Sequence, residues 1–251
     1  MNLENEKLNS LGQKDREALG FYIKHMQRLV GEDIFALTVY GSVVKDNFFP
    51  GASDINVFLI VKRISPEIIQ KVASTVKRFQ RANKISTFLT DVNHIKDAAD
   101  VFPIKYLDVK RHHCALIGPD LFEGMEIEVN NLRNDLEMQL RNLIFRISRE
   151  YVLSSYTAGD LRNILVTNFS GFSHLLSALL ILKGQEPPAK KEEIIKDIAR
   201  VFNLDLEVLE QVLKLKRGGN NPLKQEMQYL FDSYFHIVEK IIEIVDKMKV
   251  E

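Results

Sequence analysis

Two short groups of residues in this chain have the types and spacing that phosphate chemistry needs. Gly41-Ser42 closes an apolar run, "IFALTVY", and Asp54-Ile55-Asn56 leads into another, "INVFLIV", with eleven residues between the two groups. A glycine at a strand end lets the backbone come close to a ligand, and the serine after it adds a hydroxyl and an N–H. If the chain turns helical beyond Ser42, the free N–H groups there form an anion site. Asp54 and Asn56 are two apart at the head of a strand, which predicts that both project from one sheet face. Two oxygen-bearing side chains beside a phosphate-gripping turn suit a magnesium–nucleotide site.

Such a site needs strands to hold it and helices to back the strands. Residues 14–30 carry Leu19, Tyr22, Ile23, Met26, Leu29 and Val30 at helical spacing. Residues 34–40 and 55–61 are runs suited to buried strands, and residues 66–82 form a helix that Ser65 caps ahead of Pro66. "KISTFLT" is a predicted third strand and residues 95–101 a short helix. "FPIKYLDV" is a predicted fourth strand, followed by "CALIG". Beyond residue 129 the strand signal ends. Apolar residues recur at three- and four-residue steps over 132–153, and further helices are expected at 160–183, 191–202, 206–216 and 222–248. The expected class is α+β, with an α/β domain over residues 1–125 and an all-helical bundle over 126–251.

With 45% hydrophobic and 27% charged residues, the chain has the profile of an ordinary globular protein. Basic and acidic residues number 34 each, so net charge gives no argument for a nucleic acid or a membrane as partner. The single cysteine, Cys114, excludes an intrachain disulfide and a cysteine-built zinc site, and it fits a reducing compartment. The polar start lacks an apolar signal core, and the most apolar stretch, 175–182, is too short to cross a bilayer. A cytoplasmic protein with no membrane partner is expected.

The Gly41-Ser42 and Asp54-Ile55-Asn56 groups together resemble the signature of the nucleotidyltransferase superfamily, the DNA polymerase beta-like and kanamycin nucleotidyltransferase-like proteins. That signature is an apolar residue, Gly-Ser or Gly-Gly, a loop, and then Asp-apolar-Asp/Glu. The stretch "VFPIKYLDVKRHHCALIGPDLF" also resembles a segment of bacterial members. The resemblance implies transfer of a nucleoside monophosphate from a nucleoside triphosphate to a hydroxyl acceptor, with Mg2+ as cofactor. Asp54 and Asn56 would then be the catalytic and metal-binding pair, and Gly41 and Ser42 would hold the triphosphate.

Two residues depart from that pattern. Asn56 stands where the family's second metal carboxylate belongs, and Lys105 is placed where a third would stand. Asn still offers a neutral oxygen, whereas a protonated lysine repels a cation and pairs with a phosphate instead. One unit charge at ~4 Å is worth roughly 4 kcal/mol at an effective dielectric of about 20, so a carboxylate-to-lysine exchange weighs heavily on a metal site. Asp108, three residues from Lys105, is expected on the other face of the predicted strand. The catalytic set is therefore incomplete, and a nucleotide-binding or protein-interaction module on the same fold is the alternative.

Other charged groups have plainer roles. His112 and His113 are expected at a solvated loop end, and Phe48, Phe49 and Pro50 either pack under the turn or flank a base. Lys214, Lys216 and Arg217 suit the end of a helix, where cations offset the dipole, and a phosphate contact is the lesser alternative.

Overall fold

The computed structural model describes residues 5–45, 48, 53–219 and 222–248. The chain divides into two compact units, 1–127 and 128–251.

In the first unit, helix α1 (Gln13–Val30) leads into strand β1 (Ile34–Tyr40), and a 3-10 turn over Gly41–Val43 follows. Strand β2 (Ile55–Val61), helix α2 (Pro66–Asn83), strand β3 (Ile85–Asp91), helices α3 (Val92–Asp97) and α4 (Pro103–Arg111) and strand β4 (His113–Ile117) complete it. The sheet order is β3-β2-β1-β4. Strand β1 is antiparallel to β2 and β4, whereas β2 and β3 run parallel because α2 carries the chain back between them.

Both faces of the sheet are covered, which is why β2 reads as an almost unbroken apolar run. Val57, Leu59 and Val61 face α1 and α2 and pack with Tyr22, Ile23 and Phe79. On the other face Phe58 and Ile60 meet Tyr106 and Val109 of α4, Ile95 of α3 and Phe122. Ser65 caps α2 by accepting from the Ile68 N–H at 3.3 Å, with Pro66 in the first turn.

One expected strand is a helix. "FPIKYLDV" lies in α4, where Pro103 occupies the first turn and Pro103, Ile104, Tyr106 and Val109 are buried. The run is rich in β-branched and aromatic residues, which suit a strand, but its alternation breaks at Tyr106-Leu107, and the uncovered sheet face takes the Ile104, Tyr106 and Val109 side of a helix. Lys105 and Asp108 are therefore one turn apart on a helix rather than on opposite faces of a strand. The solvated loop end expected at the histidines is also corrected. His113 begins β4 and is only 4% exposed; its Nε2 lies 2.8 Å from Asp120 and its Nδ1 2.8 Å from the Val109 carbonyl. These contacts fasten the 118–127 segment to the end of α4.

The second unit consists of α5 (Val129–Val152), α6 (Ala158–Leu182), α7 (Lys191–Phe202), α8 (Glu207–Lys216) and α9 (Lys224–Asp246). Helix α6 packs against all four others. The stretch 175–182 is part of α6, which as a whole is long and apolar enough to cross a membrane by length and composition, so the expectation from 175–182 alone is corrected. Burial explains the composition instead, because 61% of its most apolar window lies inside the unit. The Thr157–Asp160 capping box starts α6, and Gly184, at φ +69°, ends it ahead of Pro187-Pro188.

Asp91 ties the end of β3 to the loop after β2. Its buried carboxylate accepts from the N–H groups of His94 at 3.0 Å, Asn93 at 3.1 Å and Ile64 at 3.2 Å. The His94 N–H contributes most to holding this carboxyl below its ordinary range. A depressed carboxyl adds stability above the unfolded pKa, about 4, and loses it as pH falls through the folded value. Asp91→Asn should therefore flatten the acid limb of a urea-unfolding series run from pH 6 to pH 3. An unchanged limb would remove Asp91 from the account.

Candidate nucleotide site

The end of β1 and the start of β2 meet in one ladder. Tyr40 pairs with Asn56, Asn56 with Ser86 of β3, and Tyr40 with His113 of β4. Gly41 follows at once with φ +82°, a conformation open to glycine and strained for side-chain-bearing residues. A Cβ at this position would lie 3.1 Å from the Asn56 amide nitrogen. Gly41 thus turns the chain directly over Asn56, and Ser42 sits in the 3-10 turn that follows. The helical turn expected after Ser42 is this short 3-10 element, with Val44 as its C-cap. Asp46 lies outside the described residues, as do Phe49 and Pro50, while Phe48 is buried in the core beneath the turn.

Asp54 lies one residue ahead of β2. Its Oδ2 accepts a long contact, 3.4 Å, from Gln80 Nε2 on α2, the helix that covers the opposite face from α4. Strand alternation therefore governs Asn56 and Phe58, and it stops one residue short of Asp54. Gln80 had no distinguishing signal in the sequence beyond its place near the end of α2.

Lys105 reaches the same sheet face from above. Its ammonium is 3.4 Å from the centroid of Phe88 and 5.3 Å from that of Phe58, the residues two beyond Ser86 and Asn56 on their strands. Burial holds the ammonium below the usual lysine range. The cation is thus held over aromatic faces one strand pleat from the Asn56–Ser86 pair. Ser86 is the side chain beside Asn56 on the neighbouring strand. The alternation of β3 put Ser86 and Phe88 on one face from the start, but only the β2–β3 register brings Ser86 next to Asn56.

A second polar group flanks the turn. Lys45 pairs with Asp108 at 2.5 Å, and His112 Nδ1 is 3.3 Å from the same carboxylate. Burial raises the Tyr40 phenol, and the Asp108 charge adds to the shift. Burial lowers the Arg111 guanidinium, which Asp108 opposes.

No protein-family model matches the sequence, and no curated protein does. Among solved structures, spectinomycin adenyltransferase AAD(9) from Enterococcus faecialis, solved with ATP and spectinomycin, is similar to this chain. The TM-score is 0.53 over 86% of this chain and 97% of that one, at 14% sequence identity. The chain has a nucleotidyltransferase fold. Likeness at this identity establishes the fold, and the chemistry has to come from the residues themselves.

Measured against that fold, the donor set is short of charge. Among the described residues, no group of three or more His, Cys, Asp or Glu side chains gathers where it would hold a metal ion. Around the Gly41 corner, Asn56, Ser86 and Ser42 offer neutral oxygens, and the nearest carboxylate along the chain, Asp54, is directed to Gln80. This set does not fit a pair of magnesium ions, which draws on several carboxylates. The expectation that Asp54 and Asn56 project together from one face is not met, because Asp54 turns to Gln80 of α2.

Gly41→Ala tests the turn itself. It should lower stability by about 1–2 kcal/mol in urea unfolding, because the left-handed backbone penalises a Cβ. Gly41→Asn should cost less, since Asn tolerates this conformation. Equal stability of all three proteins would show that Gly41 is not under the constraint described.

Proposed function

We propose that the α/β unit binds a nucleoside triphosphate at the Gly41 corner and that the protein acts as a nucleotide-binding module on a nucleotidyltransferase fold. The observation that carries this reading is the composition of the corner. Asn56 and Ser86 supply neutral side chains there and Lys105 a cation nearby, while Asp54, the carboxylate just ahead of β2, turns to Gln80 of α2. Such a set favours a bound polyanion over a bound pair of cations. Ser42 would take the phosphate tail on its hydroxyl and backbone N–H, with Gly41, whose own N–H is held by the His112 carbonyl, giving the close approach, and Lys105 would supply the positive charge that metals supply elsewhere. The similar adenyltransferase was solved with ATP, which supports a triphosphate as the ligand class.

Nucleotidyl transfer to a hydroxyl acceptor is the second reading, favoured by Asp54, which stands at the family position for a metal carboxylate. In that reading Asp54 would hold the magnesium of a bound triphosphate.

Calorimetric titration of ATP into the full chain, with magnesium and again with EDTA, separates the two. The module reading expects binding in both, with affinities within about tenfold, a gap of about 1.4 kcal/mol. Lys105→Met, which keeps the stem over Phe88, should weaken ATP by roughly tenfold, the scale of one charge-assisted hydrogen bond. Magnesium-dependent binding with pyrophosphate release that Asp54→Ala abolishes would establish transfer instead. Absence of ATP binding under both conditions would overturn both readings.

A further inference from the structure

The helical unit gathers cations along one face of its central helix. Arg162, Val166 and Ser170 of α6 are four residues apart in sequence and so share a face. A basic side chain meets each of these positions. Arg162 Nη2 itself donates to the Leu215 carbonyl at 3.0 Å, Lys216 Nζ donates to the Val166 carbonyl at 3.3 Å, and Lys191 Nζ lies 3.3 Å from the Ser170 hydroxyl. Arg217 stands beside this row, paired with Glu192. The row covers two four-residue steps of α6, roughly 12 Å at 1.5 Å per residue.

Dipole compensation accounts for only part of this group. Lys216 is in the last turn of α8, where a cation is favoured. Lys191, however, is the first residue of α7, preceded by Lys190, and a helix N-terminus disfavours cations. Lys191 is also half-buried, 5.9 Å from the ring centroid of Phe169. Burial, with the Lys216 and Arg217 charges behind it, holds its ammonium below the usual lysine range. Glu192, the carboxylate that offsets Lys191, is already engaged by Arg217. Within the same group the Arg162 Nε is buried with no hydrogen-bond partner. Like charges drawn together, one of them partly out of water, call for an anion to offset them.

We infer that this face of α6, with Lys191, Lys216 and Arg162 as its cationic side chains, binds a small molecule that carries linked phosphates. Linked phosphates are chosen because the row is longer than one phosphate ion and the cations are spaced along it. Ser170 adds a hydroxyl that donates to a phosphate oxygen once Lys191 turns to the ligand. The site lies wholly within the helical unit and does not depend on the nucleotide corner of the α/β unit.

The probe is sodium pyrophosphate, titrated calorimetrically into the full chain in EDTA at low and at high salt. The wild-type protein should bind it, and added salt should weaken binding because the cations are partly exposed. Lys191→Gln with Lys216→Gln, which keeps both stems, should weaken binding by about tenfold or more, whereas Lys240→Gln, at an exposed position of α9, should leave it unchanged. Lys216→Gln alone, at an exposed position, serves if the double variant unfolds, and it should lower affinity several-fold. No binding to the wild type, or binding that neither lysine variant alters, overturns the proposal. A short single-stranded RNA is the second arm. If RNA binds and is lost in the lysine variants while pyrophosphate does not bind, the face takes a nucleic acid and the small-molecule site is refuted.

Discussion

The pairing of Tyr40 with Asn56, and of Asn56 with Ser86, is the constraint on which the α/β unit depends. Strand alternation has a period of two, so a slip of one residue would send Asn56 to the α1–α2 face against Tyr22, Ile23 and Phe79, and turn Val57 and Leu59 to the other. The apolar residues on both sides of β2 make such a slip costly in either direction. With that register held, the chain has to leave β1 directly over Asn56, and Gly41 at φ +82° makes the departure possible. Turn, ladder and polar corner are thus one arrangement.

Helix α4 completes the corner from the outside. It covers Phe58 with Tyr106, and it carries Lys105 to the aromatic faces of Phe88 and Phe58. It also places Asp108 against Lys45, just beyond the turn that begins at Gly41. His113, held between the Val109 carbonyl and Asp120, ties α4 to β4 and so to the sheet. The cation beside the ladder and the pair beside the turn both depend on this short helix. Its role in the corner is electrostatic as well as steric.

The two units are stabilised in different ways. The α/β unit has two apolar clusters separated by its sheet, with a few buried polar side chains inside its elements, Thr38 of β1 and Thr75 of α2 among them. The helical unit is organised around α6, whose apolar surface is consumed by packing on its four neighbours. A polar network enters that core where Asn168, 1% exposed, accepts from Arg146 and donates to Glu150 and the Ile164 carbonyl. Every polar atom of this buried amide is therefore satisfied, as burial requires.

Much of this protein is determined locally and was legible in the sequence. Strands β1 and β2 coincide with the apolar runs "IFALTVY" and "INVFLIV", and α2 follows from Ser65, Pro66 and its apolar stripe, because caps and periodicity act over a few residues. The closeness of Gly41 and Asp54 to one strand pair was legible for the same reason. Tertiary structure alone decided the rest. "FPIKYLDV" has the residue types of a strand, and it became a helix because the Phe58 face of the sheet needed a cover. Ser86 came to stand beside Asn56 through strand register, which joins residues thirty apart. Lys105 found aromatic rings rather than a strand position, and α6 became a core helix rather than a span. Each of these outcomes turns on which distant surfaces meet, and local propensity carries no information about that.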